Sequence, residues 1–337
     1  MLYPTIRPIL FALDPEHAHR LVLDGLRTAG RLPGGIVRGT PVDLLGLRFP
    51  NRVGLAAGFD KNAEAVDGLG KLGFGFLEIG TVTPRPQPGQ PRPRLFRLPQ
   101  SHALINRLGF PSEGATIVAG RLRRRRYKGV VGINIGKNAW TPIERAVDDY
   151  ISCLRCLHTV ADYVAVNISS PNTAALRDLH EPERLEPLLT ALLSERDTLV
   201  RESGAARVLP LLLKVSPDLE PTSLESVARV ALKVGLNGII ATNTTVRRDG
   251  TPEHARSQSG GLSGAPLHAL SLATVAALRH LLGPTFPIIG VGGIDSPIAA
   301  RAMRTAGADL IQLYTGLIYR GPSLVAKCVR ALDPAPA

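Results

Sequence analysis

The chain has 337 residues, with 40 Lys and Arg against 28 Asp and Glu, a formal net charge of +12. That surplus favours anionic partners, but aromatics make up only 4% of the residues, too few for base-stacking platforms, so nucleic acid is not an expected partner. Three cysteines, Cys153, Cys156 and Cys328, give no disulfide framework and suit a reducing compartment.

In chain order, Tyr3 to Ala12 is a short helical pattern carrying Ile6, Ile9, Leu10 and Phe11. Asp14-Pro15-Glu16 then supplies an N-cap, an N1 proline and a first-turn acid. They start a second helix whose apolar side carries Ala18, Leu21, Val22 and Leu26. Residues 1–45 therefore form a helical extension, which either covers the domain behind it or lies on a membrane surface. The N-terminus lacks a signal-peptide pattern, and no uninterrupted apolar stretch reaches the roughly 18 to 20 residues of a bilayer span. The expected location is the cytoplasmic side.

From about residue 50, short apolar runs alternate with helical patterns. The candidate strands are Val53 to Ala57, Phe74 to Gly80, Val130 to Gly136, Tyr163 to Ile168, Leu209 to Val215, Gly238 to Thr242, Pro287 to Val291 and Asp309 to Tyr314. Most are continuously apolar, as strands buried on both faces of a parallel sheet must be. Segments such as Glu181 to Glu202, Ser223 to Val234 and Leu267 to Leu282 have helical spacing between them. Eight βα units predict an α/β fold, a (β/α)8 TIM barrel over residues 46–333, with an open doubly wound sheet as the alternative. Two connections, Thr81 to Ser112 and Asn243 to Pro266, are long enough to be lids or binding loops. The tail, residues 334–337, is expected to be disordered.

Cys153 and Cys156 form a CxxC inside a helical pattern, and no second pair offers zinc ligands, so a structural role is expected. Arg121 to Lys128 is a basic run that reads as a solvated helix face, with anionic lipid as the other reading. No HExxH or acid cluster supplies a metal site. The expected metal content is none.

Barrel enzymes work at the carboxyl ends of their strands, and polar residues gather there. The fourth candidate strand breaks into Asn167-Ile168-Ser169-Ser170-Pro171-Asn172-Thr173, and Asn134, Lys214-Val215-Ser216 and Thr242-Asn243-Thr244-Thr245 repeat the pattern. Each amide offers a donor and an acceptor, which suits a ring carrying alternating N–H and C=O groups. Lys61 follows the first strand and Lys214 ends the fifth, where a lysine can form a Schiff base, stabilise charge or simply face solvent. Gly290 to Pro297 and Tyr314-Thr315-Gly316, after the seventh and eighth strands, let backbone amides approach an anion, as in a barrel phosphate site. Asp295 stands where GxGxxG would need a glycine, which argues against a dinucleotide fingerprint.

Gly54 to Lys61, Glu78 to Pro84, Asn106 to Phe110, Asn167 to Thr173 and Gly260 to Gly264 together resemble the dihydroorotate dehydrogenase family, most closely its quinone-dependent, membrane-associated class 2 form. The resemblance runs from about Tyr3 to Leu332. It implies oxidation of (S)-dihydroorotate to orotate in pyrimidine (UMP) synthesis, one noncovalent FMN, a membrane quinone as acceptor, and a monomer held peripherally on the cytoplasmic side of the cell membrane. It places flavin contacts at Ala57, Gly58, Phe59, Asp60, Lys61, Thr81, Asn134, Asn167, Lys214, Thr242, Gly264, Gly293, Tyr314 and Thr315. Substrate contacts fall at Lys61, Asn106, Arg107, Leu108, Gly109, Phe110, Asn167, Asn172, Asn243 and Thr244. Ser170 stands where class 2 members carry the catalytic base, and His19 and Arg97 look like quinone-tunnel residues. Under this resemblance the N-terminal helices form the quinone's entry.

Overall fold

The computed structural model describes residues 3–30, 39–173, 175–204 and 207–333, apart from the side chain of His254; the tail expected to be disordered lies outside them. Eight parallel strands close into a barrel in sequence order: Val53–Leu55, Phe76–Val82, Val130–Ile135, Tyr163–Asn167, Leu211–Val215, Gly238–Ala241, Ile288–Val291 and Leu310–Leu313. The last pairs with the first through Ile311 and Val53, which rules out the open sheet. Every residue of these strands is buried, the cause of their largely apolar character. Helices Ala146–Leu157, Pro182–Ser203, Pro221–Val234 and His268–Leu282 occupy the outer ring.

The barrel interior is filled by Phe76, Tyr163, Leu212, Ile240, Ile289 and Leu310, and Phe49 of the Val42–Leu44/Leu47–Phe49 hairpin plugs its amino end. Large rings fit because glycines face them. A Cβ on Gly132 would lie 2.0 Å from the Tyr163 ring, so any side chain there would displace the tyrosine.

Two short helices, α1 (Tyr3–Ala12) and α2 (Pro15–Ala29), precede the barrel as expected. The Asp14 carboxylate caps α2 by accepting from the His17 amide at 3.0 Å. The long connections after the second and sixth strands are not loops throughout. Leu95–Leu98, Ala103–Asn106 and Gly261–Gly264 pair antiparallel into a three-stranded sheet, which joins segments 155 residues apart. Arg97 fastens this sheet to the helices by donating to the Phe11 and Leu13 carbonyls at 3.2 and 2.8 Å. The Arg94–Glu16 ion pair at 3.0 Å adds a second tie.

Ala265–Leu282, 18 residues interrupted by His268, Arg279 and His280, is long and apolar enough by length and mean composition to cross a bilayer. Ser271, Val275, Leu278 and Leu282 of this segment are buried and it packs on the seventh strand, so it serves as one of the barrel's outer helices. Cys153 is buried within Ala146–Leu157, and among the described residues no group of three His, Cys, Asp or Glu could hold a metal ion. Part of the basic run is committed to intrachain contacts. Arg121 pairs with Glu113 at 2.9 Å, Arg125 donates to the Val160 carbonyl at 2.8 Å, and Arg126 pairs with Asp67 at 3.4 Å, while Arg123 and Arg124 are exposed.

Candidate active site

A cavity of about 990 Å³, counting its open mouth, sits at the carboxyl ends of the barrel strands, where a barrel places its chemistry. Its floor is organised by Glu78, which was not among the expected site residues. Glu78 lies inside the apolar second strand and is fully buried. One carboxylate oxygen accepts from Asn134 Nδ2 at 2.9 Å and lies 3.7 Å from Lys214 Nζ. The other accepts from Tyr163 Oη at 3.0 Å and Gln312 Nε2 at 2.6 Å. A buried carboxylate is tolerable only when its charge is paired and its lone pairs are filled, and here both conditions hold. Burial, reinforced by Glu78, pushes the Tyr163 hydroxyl far above its usual range, so it remains a neutral donor.

From this floor a chain of amides runs across the strand ends. Thr81 Oγ1 donates to Asn134 Oδ1 at 2.6 Å, and Asn167 Nδ2 donates to Thr81 Oγ1 and Asn134 Oδ1 at 3.0 and 3.1 Å. Asn243 Nδ2 continues the chain to Asn167 Oδ1 at 3.2 Å and Ser169 Oγ at 2.9 Å. Each bond fixes which end of an amide is free to face the cavity. Gln312 Oε1 is the exception: buried, cavity-lining and without a partner among the described residues. An orphaned acceptor of this kind calls for a ligand donor.

Ser170 lines the cavity at 5% exposure. Its Oγ accepts from the Asn172 amide at 3.3 Å, and among the described residues no histidine or carboxylate is bonded to it, so no Ser-His-Asp arrangement exists. Asn172 Nδ2 donates to Asn106 Oδ1 at 3.2 Å, which closes the site from the three-stranded sheet, the lid of this cavity. Lys61 Nζ donates to the Gly58 carbonyl at 2.6 Å. Desolvation pulls its pKa down to about 8, against the attraction of Glu16. On the opposite wall, Gly292 and Gly293 have φ of 134° and 66°, a backbone that L side chains rarely adopt.

The structure brings most of the expected site residues together: Ala57, Gly58, Lys61, Thr81, Asn106, Leu108, Gly109, Phe110, Asn167, Ser170, Asn172, Lys214, Thr242, Asn243, Thr244, Gly264, Gly293, Tyr314 and Thr315 all line the cavity. Four of the expected flavin and substrate contacts stand off it. The Asp60 carboxylate accepts from the Glu64 and Ala65 amides at 2.9 and 2.8 Å. Asn134 is buried behind Thr81 and Asn167. Arg107 lies over the Phe96 ring and donates to the Pro93 carbonyl at 2.9 Å. Phe59 belongs to a second cavity.

That second cavity lies between α1, α2 and the barrel, walled by Ile6, Leu10, Phe11, Ala18, Val22, Leu104 and Leu317 with His19 and Arg97 among them. Burial and the nearby Lys61 depress the His19 pKa to about 3, so the imidazole is neutral at ordinary pH. Phe59 packs edge-on to His19 and to Tyr314, with centroids 5.1 and 5.9 Å away. Tyr314 lines both cavities.

This arrangement matches known proteins along its length. A family model described as dihydroorotate dehydrogenase matches residues 40–334. A protein named dihydroorotate dehydrogenase (quinone) from Aromatoleum aromaticum is 53% identical over 334 residues, covering 98% of this chain and 95% of that protein. One of the same name from an Azoarcus strain is 51% identical over the full length of both. Among solved structures, DHODH of Eimeria tenella in complex with ferulenol superposes with a TM-score of 0.88 at 39% identity, covering 95% of this chain and 90% of that one.

Proposed function

Since the chain belongs to the dihydroorotate dehydrogenase family and oxidises dihydroorotate to orotate with a quinone as acceptor, a step of pyrimidine synthesis, we propose that the strand-end cavity is where the oxidation takes place. The flavin there is one noncovalent FMN. The observation that carries this reading is the Glu78–Lys214–Gln312 floor, which presents a paired cation and an unfilled acceptor to one cavity. The isoalloxazine edge has an N–H flanked by carbonyls, so it can fill Gln312 Oε1 and meet Lys214. The backbone of Gly264, Gly293 and Thr315, which line the same cavity, would hold its phosphate. Bound FMN supplies the two-electron acceptor.

The chain's own residues supply the rest. Lys61 pairs with the substrate carboxylate, and Asn106, Asn172, Asn243 and Thr244 hold the alternating N–H and C=O groups of the ring. Ser170 removes the C5 proton. A hydroxyl is a weak base, so its position against the substrate contributes more than its basicity. The apolar cavity receives the quinone ring beside His19 and Arg97. Exposed Ile9 and Leu21 on α1 and α2, at 65% and 47%, are the contact with an anionic membrane surface, which holds the protein peripherally on the cytoplasmic side as a monomer.

Anaerobic addition of dihydroorotate to the purified protein should bleach a flavin spectrum, and denaturation should release FMN in one-to-one ratio. Release of FAD, or a colourless protein that binds no FMN, would overturn the assignment.

A further inference from the structure

Resting on the reading of Ser170 as the base, we propose that Arg177 and Asp218 form a clamp that positions the Ser170 loop against the substrate-binding amides. Arg177 lies in the short helix Leu176–His180, after the polar end of the fourth strand. Its Nε donates to the Ser169 carbonyl at 3.4 Å, and its Nη2 to the Thr244 carbonyl at 3.4 Å. The same Nη2 lies 3.0 Å from Asp218 Oδ2. Asp218 follows the fifth strand and in turn holds the loop of the sixth: it accepts from Thr245 Oγ1 through one oxygen and from the Val246 amide at 2.9 Å through the other.

One guanidinium and one carboxylate thereby tie three strand-end loops together, at the peptide just before Ser170 and at Thr244 beside Asn243. Thr245 carries the tie on to the lid, exchanging backbone bonds of 3.1 and 2.7 Å with Leu262. Neither Arg177 nor Asp218 lines the cavity, so the pair acts through the groups it holds. The guanidinium's planar fork serves several acceptors at once, which a lysine ammonium does with less geometric control. Base and substrate amides belong to different loops, so the separation between the hydroxyl and the C5 proton depends on this tie, and displacements near 1 Å can cost about 10²-fold in rate.

The test separates the half-reactions in the flavin-loaded enzyme. Arg177→Ala and Asp218→Asn should each slow single-turnover reduction by dihydroorotate roughly 10- to 100-fold. Reoxidation of the pre-reduced enzyme by quinone should keep its wild-type rate. Deuterium at C5 should slow the variants more than the wild type, because a misplaced base makes proton removal the limiting step. A purely structural role would lower both half-reactions and leave the isotope effect unmoved, which would overturn the proposal. Should the alanine variant fail to accumulate, Arg177→Lys decides: reduction slowed several-fold with normal reoxidation supports the clamp, and an unchanged reduction rate overturns it. Ser170→Ala runs alongside. Slow reduction there with normal reduction in the Arg177 and Asp218 variants sinks the clamp alone, whereas normal reduction in Ser170→Ala removes the base assignment beneath it.

Discussion

The strand-end cavity and the cavity under the N-terminal helices meet at Tyr314, yet different forces hold their walls in place. The first is lined by side chains whose directions are dictated by hydrogen bonds running from Glu78 to Asn243. Removing one partner there leaves another polar group buried and unsatisfied. The second is walled by Leu, Ile, Phe and Val from two short helices, fastened by Arg97 and Arg94. Apolar contacts are non-directional and tolerate substitution of similar volume. Chemistry on a small polar ring needs the first kind of wall, and a long greasy molecule needs only the second.

The largest test of this contrast is Ser170→Ala, which should slow flavin reduction by dihydroorotate roughly 10² to 10⁴ fold while the flavin remains bound. Near-normal stopped-flow reduction would remove Ser170 from the chemistry. Next comes the polar floor. Lys214→Met leaves Glu78 buried without its cation and should destabilise the fold by about 3 to 5 kcal/mol in urea titrations. Adding Glu78→Gln should recover part of that loss, since partners in one network are not additive; strict additivity would show that the pair is not coupled.

A third test uses pH. The Lys61 pKa is drawn from 10.5 to about 8 by desolvation, so the free enzyme loses this cation as pH rises through 8. The kcat/KM for dihydroorotate should then fall by up to about tenfold per pH unit, while that for quinone stays flat. Stability moves the other way. Between about 8 and 10.5 the unfolded chain holds the proton that the folded one has shed, so this group's contribution to stability rises with pH across that window. An alkaline limb beginning only near 10.5 would refute the depressed pKa. The smallest effect belongs to the apolar wall's outer side. Ile9→Asp should weaken binding to anionic vesicles roughly tenfold, on the scale of one aliphatic side chain withdrawn from lipid. Flavin reduction should not change, and unaltered vesicle binding would leave α1 as simple barrel cover.

The eight barrel strands were legible in the sequence because burial on both faces leaves a mostly apolar run, which needs no partner to be seen. The lid sheet was not. Its strands are four residues each, too short for an alternation to show, and Gly261–Gly264 finds its partner only after the chain has gone most of the way around the barrel. Site residues follow the same division. Asn167, Ser170 and Asn243 stand where apolar runs stop, so their position announces them. Glu78 and Gln312 sit inside such runs, and only the closed barrel brings them within 2.6 Å across 234 residues. At Asp60, a flavin contact under the family resemblance, the structure adds what the sequence could not show: its carboxylate holds two backbone amides of the loop that follows. Lys214 was open to a Schiff-base reading from its position alone, and its ion pair with Glu78 favours a fixed charge instead.

Tyr314 belongs to both cavities, its hydroxyl donating to the Gly58 carbonyl at 3.3 Å and burial raising its pKa to about 12. The partition between the two chambers is therefore, at this point, one neutral ring thick. Electrons need cross only that short interval, whereas neither reactant has to pass it. On the proposed assignment of the two cavities, the two substrates take turns without ever sharing a room, and a molecule that plugs one chamber leaves the other half of the cycle free to run.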